Sequence, residues 1–264
     1  MKTMLFRSCI ELTNHRLTSA MLRRFSRSKL SKPFIKPFAT TFKLKQSEMG
    51  KPLSAYEHLH DLFTRELKPG VRVIDKNHQS MVSPVDGIMA QSGNLDNETL
   101  FHVKGQTYNI VEMLGSQEAA KPYHNGYYFI LYLSPSHYHR IHSPVDGTII
   151  RQWKLGGQSY PVNNMGLQYG KRPLSRNYRV ITEVEVDRKQ LAIVKVGAMN
   201  INTIELTHKG SSLQKGEEMA YFSFGSTVVL LVEHELVSDI DVLENMEVVV
   251  GQKLANFTRK EATP

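Results

Sequence analysis

The hydrophobic pattern divides the chain into two textures. In the first, apolar residues recur at helical spacing: Leu17, Met21 and Phe25 fall every four residues among Arg16, Arg23, Arg24 and Arg27, which predicts an amphipathic helix. A second helix is predicted from Tyr56, Leu59, Leu62, Phe63 and Leu67, opened by the capping-box spacing Ser54-Ala55-Tyr56-Glu57 and stopped by Pro69-Gly70. After Val71 the texture changes to short apolar or alternating runs separated by Gly, Pro and Asn, the pattern of strands. The clearest runs are 127–133, 145–154, 178–186, 190–196, 226–232 and 246–250. Helices come first and strands follow, so the expected fold class is α+β: a helical, basic amphipathic N-terminal region, residues 1–70, and an antiparallel β-rich catalytic domain, residues 71–264. The absence of alternating strand and helix units argues against a Rossmann-like or barrel architecture.

Composition narrows the function classes. With 41% hydrophobic and 22% charged residues the chain is neither a disordered tail nor a disulfide mini-protein. Cys9 is the only cysteine, which excludes an internal disulfide and a cysteine-built zinc site, and fits a reducing compartment. No apolar run approaches the ~18 residues of a membrane-spanning helix, and residues 1–9 are too short and too charged for a secretory signal.

The charge is unevenly placed. Residues 1–51 hold twelve Lys or Arg against Glu11 and Glu48, so this segment carries +10 of a chain whose net charge is +8, and the remainder carries −2. A basic amphipathic helix is the pattern of a segment lying in an anionic lipid interface. The same pattern fits a helix packed on its own domain with a solvated basic face. An Arg- and Ser-rich start also fits a mitochondrial transit peptide, whereas a nucleic-acid arm lacks any accompanying stacking or reading motif.

One internal echo stands out: Ser83-Pro84-Val85-Asp86-Gly87 recurs letter for letter at Ser143-Pro144-Val145-Asp146-Gly147. Two similar strand-opening turns and a true duplication explain it equally well.

Candidate chemistry sits in three places: Asp86 in the first copy of that echo, the run His137-Tyr138-His139-Arg140-Ile141-His142, and Gly225-Ser226-Thr227 ahead of an apolar strand. Three histidines within six residues suggest a metal site, but no HExxH spacing or second acidic cluster accompanies them, so no metal is expected. Together the three places supply a hydroxyl, an imidazole base and an orienting carboxylate, the parts of a nucleophile triad. A serine hydrolase using Ser226, His142 and Asp86 is one reading. Yet Phe224-Gly225-Ser226-Thr227-Val228 lacks the G-x-S-x-G elbow, and Ser226 opens a strand of β-branched residues. A serine after glycine can instead attack the carbonyl just before it, since glycine tolerates the strained geometry.

The segments SPVDG, LSPSHYHRIHSPVDG, VGAMNINTIEL and KGEEMAYFSFGSTVVLLVE, in this order and spacing, resemble the phosphatidylserine decarboxylase family from about Phe63 to Glu233. The N-terminal stretch from Ile10 to Leu17 is similar to the shorter bacterial members, and Phe224 stands where many relatives have Leu.

The resemblance implies a self-processing mechanism. His142, oriented by Asp86, takes the proton of Ser226, whose oxygen attacks the Gly225 carbonyl. β-Elimination and hydrolysis then leave a pyruvoyl group at residue 226, ammonia, and two associated chains, 1–225 and 226–264. The pyruvoyl ketone, this covalent cofactor, forms a Schiff base with the amine of phosphatidylserine and accepts the electron pair left by CO2. His139 is the expected proton donor to the product, phosphatidylethanolamine.

The implied partners are phosphatidylserine, an anionic membrane surface and the protein's own cleaved chain, with no nucleic acid. The implied location is the cytoplasmic face of a bacterial cell membrane, with a mitochondrial inner membrane as the second address. Val196-Gly197-Ala198-Met199-Asn200 reads either as a wall of the cofactor pocket or as a strand-end turn, and Lys215-Gly216-Glu217 as a hairpin turn.

Overall fold

The computed structural model describes residues 16–95, 100–103, 105–162, 167–168, 171–198, 204–223 and 226–258, with side chains from residue 20 onward. Three helices come first: α1 (Arg16–Ser26), α2 (Ile35–Thr41) and α3 (Leu59–Phe63). They enclose a small core of Ile35, Ala39, Leu44, Met49, Tyr56 and Leu62. On α1, Met21 is 72% exposed, while Phe25 meets Phe34 edge-on at 5.7 Å.

The predicted capping box is not used. Leu53–Ala55 forms one 3-10 turn, and Tyr56 follows in an extended conformation because its ring is buried in the small core. His58 caps α3 instead, its Nδ1 accepting from the Asp61 N–H at 3.0 Å. The helical spacing from residue 56 to 67 therefore yields a single short helix, not the long one expected.

The strands follow in chain order. First come β1 (Ser80–Val82), β2 (Gly87–Asn94), a side hairpin of β3 (Leu100–Val103) and β4 (Gln106–Asn109), and β5 (Tyr127–Leu133). Next are β6 (Arg140–His142), β7 (Gly147–Leu155), β8 (Arg179–Val186), β9 (Lys189–Gly197), β10 (Ile204–Leu206), β11 (Ser212–Leu213) and β12 (Glu218–Phe222). Last are β13 (Ser226–Val232), β14 (Val237–Ile240), β15 (Glu247–Val248) and β16 (Lys253–Phe257). They form an eight-stranded sheet, β11-β7-β8-β9-β13-β5-β2-β15, flanked by β1-β16-β14 and β10-β12-β6, with every strand pair antiparallel. The α+β class, with its β-rich domain after a helical start, is what the pattern predicted.

The strand order is symmetric about the β9–β13 pair. β6 through β12 repeat, strand for strand, the set β1, β2, β5 and β13 through β16, so one seven-stranded unit is inserted between the third and fourth strands of another. Matching bulges interrupt β2 at Met89/Gln91 and β7 at Ile149/Arg151. The SPVDG echo lies at equivalent places: Ser83 Oγ donates to Val85 O and Ser143 Oγ to Val145 O, each at 2.7 Å. The two copies also clasp each other, Val82 N–H donating to Pro144 O at 3.0 Å and His142 N–H to Pro84 O at 2.8 Å. Of the two explanations for the echo, the structure selects duplication.

Gly251 and Gly216 occupy matching turns, with φ of +85° and +83°, and donate their N–H to Ser83 O and Ser143 O respectively. A Cβ on either would strike Ile74, which is wedged against both turns. The predicted turn at Lys215-Gly216-Glu217 exists, but it is not a hairpin. It carries the chain from β11 in the large sheet to β12 in a small one, because the Gly216 N–H is given to Ser143 O.

β13 is buried along its whole length, every residue from Ser226 to Val232 lying inside. One face of it, with Phe129, Leu131 and Ile193, packs on Ile141 and Phe222 of the β10-β12-β6 sheet. The opposite face, with Ile130 and Val194, packs on Tyr108, Met113 and Tyr123.

Candidate active site

Ser226 begins β13, paired on one side with Leu133 of β5 and on the other with Gly197 of β9. Its hydroxyl is fully buried and has no hydrogen-bond partner among the described residues. The sequence accounts for its place, since Val228, Leu230 and Val232 require β13 to be central and so draw the residue that opens it into the interior. A buried hydroxyl without a partner costs stability, about 1–3 kcal/mol, and a catalytic role is one of the reasons such a group is retained. Gly225, the other half of the expected cleavage site, lies outside the described residues, as do Met199 and Asn200 of the VGAMN segment. Gly197 of that segment faces Ser226 directly.

His142 ends β6. Its Nδ1 stands 2.8 Å from the Gly216 carbonyl, so Nδ1 carries the proton and Nε2 holds the lone pair. Nε2 then accepts from the Tyr138 hydroxyl at 3.2 Å. Burial pushes the imidazole below the ordinary histidine pKa, which keeps it neutral and able to act as a base.

Asp86 sits just before β2, two strands from β13 and about 10 Å away across the sheet at ~4.8 Å per strand. Its carboxylate accepts from Arg72 through both oxygens and from the Val250 N–H at 3.0 Å. Arg72 also reaches Glu48 at 2.9 Å. The orienting contact expected between Asp86 and His142 is therefore made by the Gly216 carbonyl, while Asp86 is engaged by Arg72. Asp86 still acts on His142 through its field, favouring the charged form.

His139 is fully buried against the Phe63 ring, with ring centroids 3.9 Å apart. Its Nδ1 donates to His137 O at 2.9 Å, and Nε2 is left buried without a partner among the described residues. Burial, aided by the nearby Arg65 charge, holds its pKa well below the ordinary value, so in this state Nε2 is a bare lone pair. The His139 carbonyl in turn accepts from the Phe222 N–H at 2.9 Å, which ties the histidine run to the strand leading toward Ser226. His137 Nε2 lies 3.8 Å from Glu247, and no cluster able to hold a metal occurs among the described residues.

Sequence reasoning missed Arg65 and Arg72. Arg65 is buried and donates to Ser136 O and His137 O, both at 2.8 Å, fixing the histidine run from the α3 side. Beside it lies a cavity of about 230 Å³ whose wall includes Lys43, Lys45, Arg65, Arg72, Asp86 and His137. The basic residues before residue 51, together with Asp86 and the histidine run, were the sequence signals pointing to this cavity, while Arg65 and Arg72 belonged to no motif.

Fold and site together define a duplicated, β-rich protein with a buried serine, unpartnered among the described residues, at the head of its central strand, and with His139 and His142 of the histidine run held neutral by burial. The family model for phosphatidylserine decarboxylase matches residues 59–256, and the chain belongs to that family. The phosphatidylserine decarboxylase proenzyme of Geobacillus kaustophilus is 54% identical over 255 residues, covering 96% of this chain and 97% of that protein. The proenzyme of Bacillus mycoides is 52% identical over 256 residues, with 97% and 98% covered, and that of Bacillus cereus is 51% identical over the same span. Nothing in these similarities favours a serine hydrolase.

Proposed function

We propose that this chain is the precursor of an enzyme that decarboxylates phosphatidylserine to phosphatidylethanolamine and CO2, using a pyruvoyl group made from its own Ser226. The observation that carries the reading is the orphaned Ser226 hydroxyl, buried at the mouth of β13 in a chain that matches proenzymes along nearly its whole length.

In the processing step Ser226 Oγ attacks the Gly225 carbonyl carbon, an ester replaces the peptide bond, and the serine proton passes to the departing amine nitrogen. We assign the carrying of that proton to His142 Nε2, whose lone pair is held by the Tyr138 hydroxyl and freed when that bond opens. Asp86 supports the positive charge that His142 then bears. Elimination expels residues 1–225 as a carboxylate and leaves a double bond at residue 226, and water converts the resulting imine to a ketone and ammonia. The cut chains, 225 and 39 residues long, stay together because β13 is hydrogen-bonded along its length to β5 and β9.

The residues present fit such a group, since Ser226 Oγ and His139 Nε2 are both buried atoms lacking partners. The pyruvoyl carbonyl supplies the electron sink for decarboxylation. His139 Nε2, a lone pair in a dry setting, can take a proton from the substrate ammonium and return it to carbon. Lys43 and Lys45, beside the cavity above Asp86, suit the phosphodiester and carboxylate of the lipid headgroup.

No helix among the described residues is long and apolar enough to cross a membrane. Met21, Leu22, Leu30, Phe34 and Phe42 are exposed on the N-terminal region among its basic residues, which supports peripheral docking of residues 1–70 on an anionic bilayer at the cytoplasmic face. Intact mass after expression tests the reading. Two chains split after Gly225, with phosphatidylethanolamine formed from phosphatidylserine, are expected, and Ser226→Ala should remain whole and inactive. A wild-type chain that stays uncut yet decarboxylates the lipid would overturn it.

A further inference from the structure

A second serine and histidine meet just ahead of Ser226. Ser223 Oγ lies 3.2 Å from His60 Nε2, joining the end of β12 to α3 across 163 residues of sequence. The same nitrogen lies 3.3 Å from a guanidinium nitrogen of Arg27, immediately after α1. A guanidinium only donates, so Nε2 must be the unprotonated nitrogen, and the Ser223 hydroxyl must donate to it as well. Ser223 is fully buried, with this bond as its anchor. Ser226 is fixed between Leu133 and Gly197. Both flanks of the expected scissile bond are thus held, one by the central sheet and the other by the N-terminal region.

We propose that His60 is a positioning residue for self-cleavage, which as a neutral acceptor anchors Ser223 and so sets where the Gly225 carbonyl is presented to Ser226. The inference rests on the self-processing reading above and adds a requirement to it: α3 and the segment after α1 must be docked before the chain can cut itself. The bond is built to persist. Burial, then the Arg27 charge, then His58 hold the His60 pKa down to about 4, with Asp61 opposing them. Tyr221 packs on the His60 ring at 6.5 Å, and Glu205 pairs with Arg27 at 3.6 Å. The tether therefore survives throughout the neutral range and fails only when acid protonates Nε2.

The test follows cutting of the full-length chain after a pulse of cell-free synthesis, on denaturing gels. Ser223→Ala and His60→Ala should each slow cutting about tenfold, the factor expected for one lost hydrogen bond. The double variant should be no slower than the slower single, and His60→Gln, whose amide can accept from Ser223, should recover most of the rate. In an uncuttable Ser226→Ala chain, Arg27→Gln should raise the His60 titration midpoint seen by NMR, a shift that loss of packing alone does not produce. Ser223→Ala cutting at the wild-type rate, or independent multiplicative losses in the double variant, would refute the tether while leaving self-processing intact. A wild-type chain that never cuts would instead remove the parent reading and this inference with it.

Discussion

His142 gives its Nδ1 proton to the carbonyl oxygen of Gly216 at 2.8 Å, and that bond decides which nitrogen of the imidazole is a base. A backbone carbonyl cannot be titrated, so the tautomer is fixed at every working pH. Because burial lowers the His142 pKa, its neutral form persists below pH 6.5. The rate of self-cleavage should stay level from pH 8 down past the ordinary histidine midpoint near ~6.5 and fall only in more acid solution. A pH series of cutting rates checks this, and a half-maximal point above 7 would contradict it. His142→Ala should abolish the cut at all pH values.

Ser226→Ala should leave the fold as stable as before or slightly more so. The hydroxyl has no partner to lose, and removing a buried unsatisfied group relieves about 1 kcal/mol. Thermal melts of Ser226→Ala against a wild-type chain trapped before cutting read the difference, and the sign is the point at issue.

Asp86 and Arg72 should behave unequally. Arg72→Ala leaves a buried carboxylate with only the Val250 N–H, so a loss of about 3 kcal/mol is expected from urea unfolding. Asp86→Asn keeps an oxygen for Val250 and leaves Arg72 its Glu48 partner, so the loss should be smaller, about 1–2 kcal/mol. If Asp86 supports the charge on His142, Asp86→Asn should also slow cutting, whereas a merely structural role predicts an unchanged rate in the folded fraction.

Lys195 provides a pH-linked test away from the site. It is fully buried in β9, donates to Thr182 Oγ1 at 2.7 Å and Ile193 O at 3.3 Å, and burial alone lowers its pKa from 10.5 to about 7. The unfolded chain therefore takes up this proton near pH 10.5 and the folded chain only near pH 7, so stability falls as pH drops through that window and levels off below it. The full penalty is on the order of 5 kcal/mol at 1.36 kcal/mol per pH unit. Lys195→Met should be more stable at pH 7 and should flatten the difference between urea midpoints at pH 7 and pH 10.

Gly216→Ala and Gly251→Ala should each destabilise by about 1–3 kcal/mol, since both have positive φ and a Cβ would strike Ile74. Only Gly216→Ala should also slow cutting, because only its carbonyl holds the His142 imidazole proposed as the base. Urea midpoints and gel kinetics on the same samples separate the two effects.

By itself the sequence determined the local elements with strong periodicity and the chemistry carried by fixed motifs. The runs at 127–133 and 226–232 became β5 and β13 residue for residue, because short continuous apolar stretches, aromatic in the first and β-branched in the second, are most stable as buried strands. The family likeness was legible for a related reason: its motifs are short and lie where backbone and chemistry tolerate few alternatives. Tertiary structure alone decided the rest. Tyr56 fits a helical period yet lies extended, since burying its ring outweighs a fraction of a kcal/mol of helix preference. The duplication shows in pairing and bulges while little more than the five-letter echo and scattered identities such as Gly251 with Gly216 survive in sequence, because a strand position specifies burial more than identity. Which donor met Asp86, and which carbonyl met His142, depended on residues 14 and 74 positions away, and no local pattern encodes a contact made across that distance.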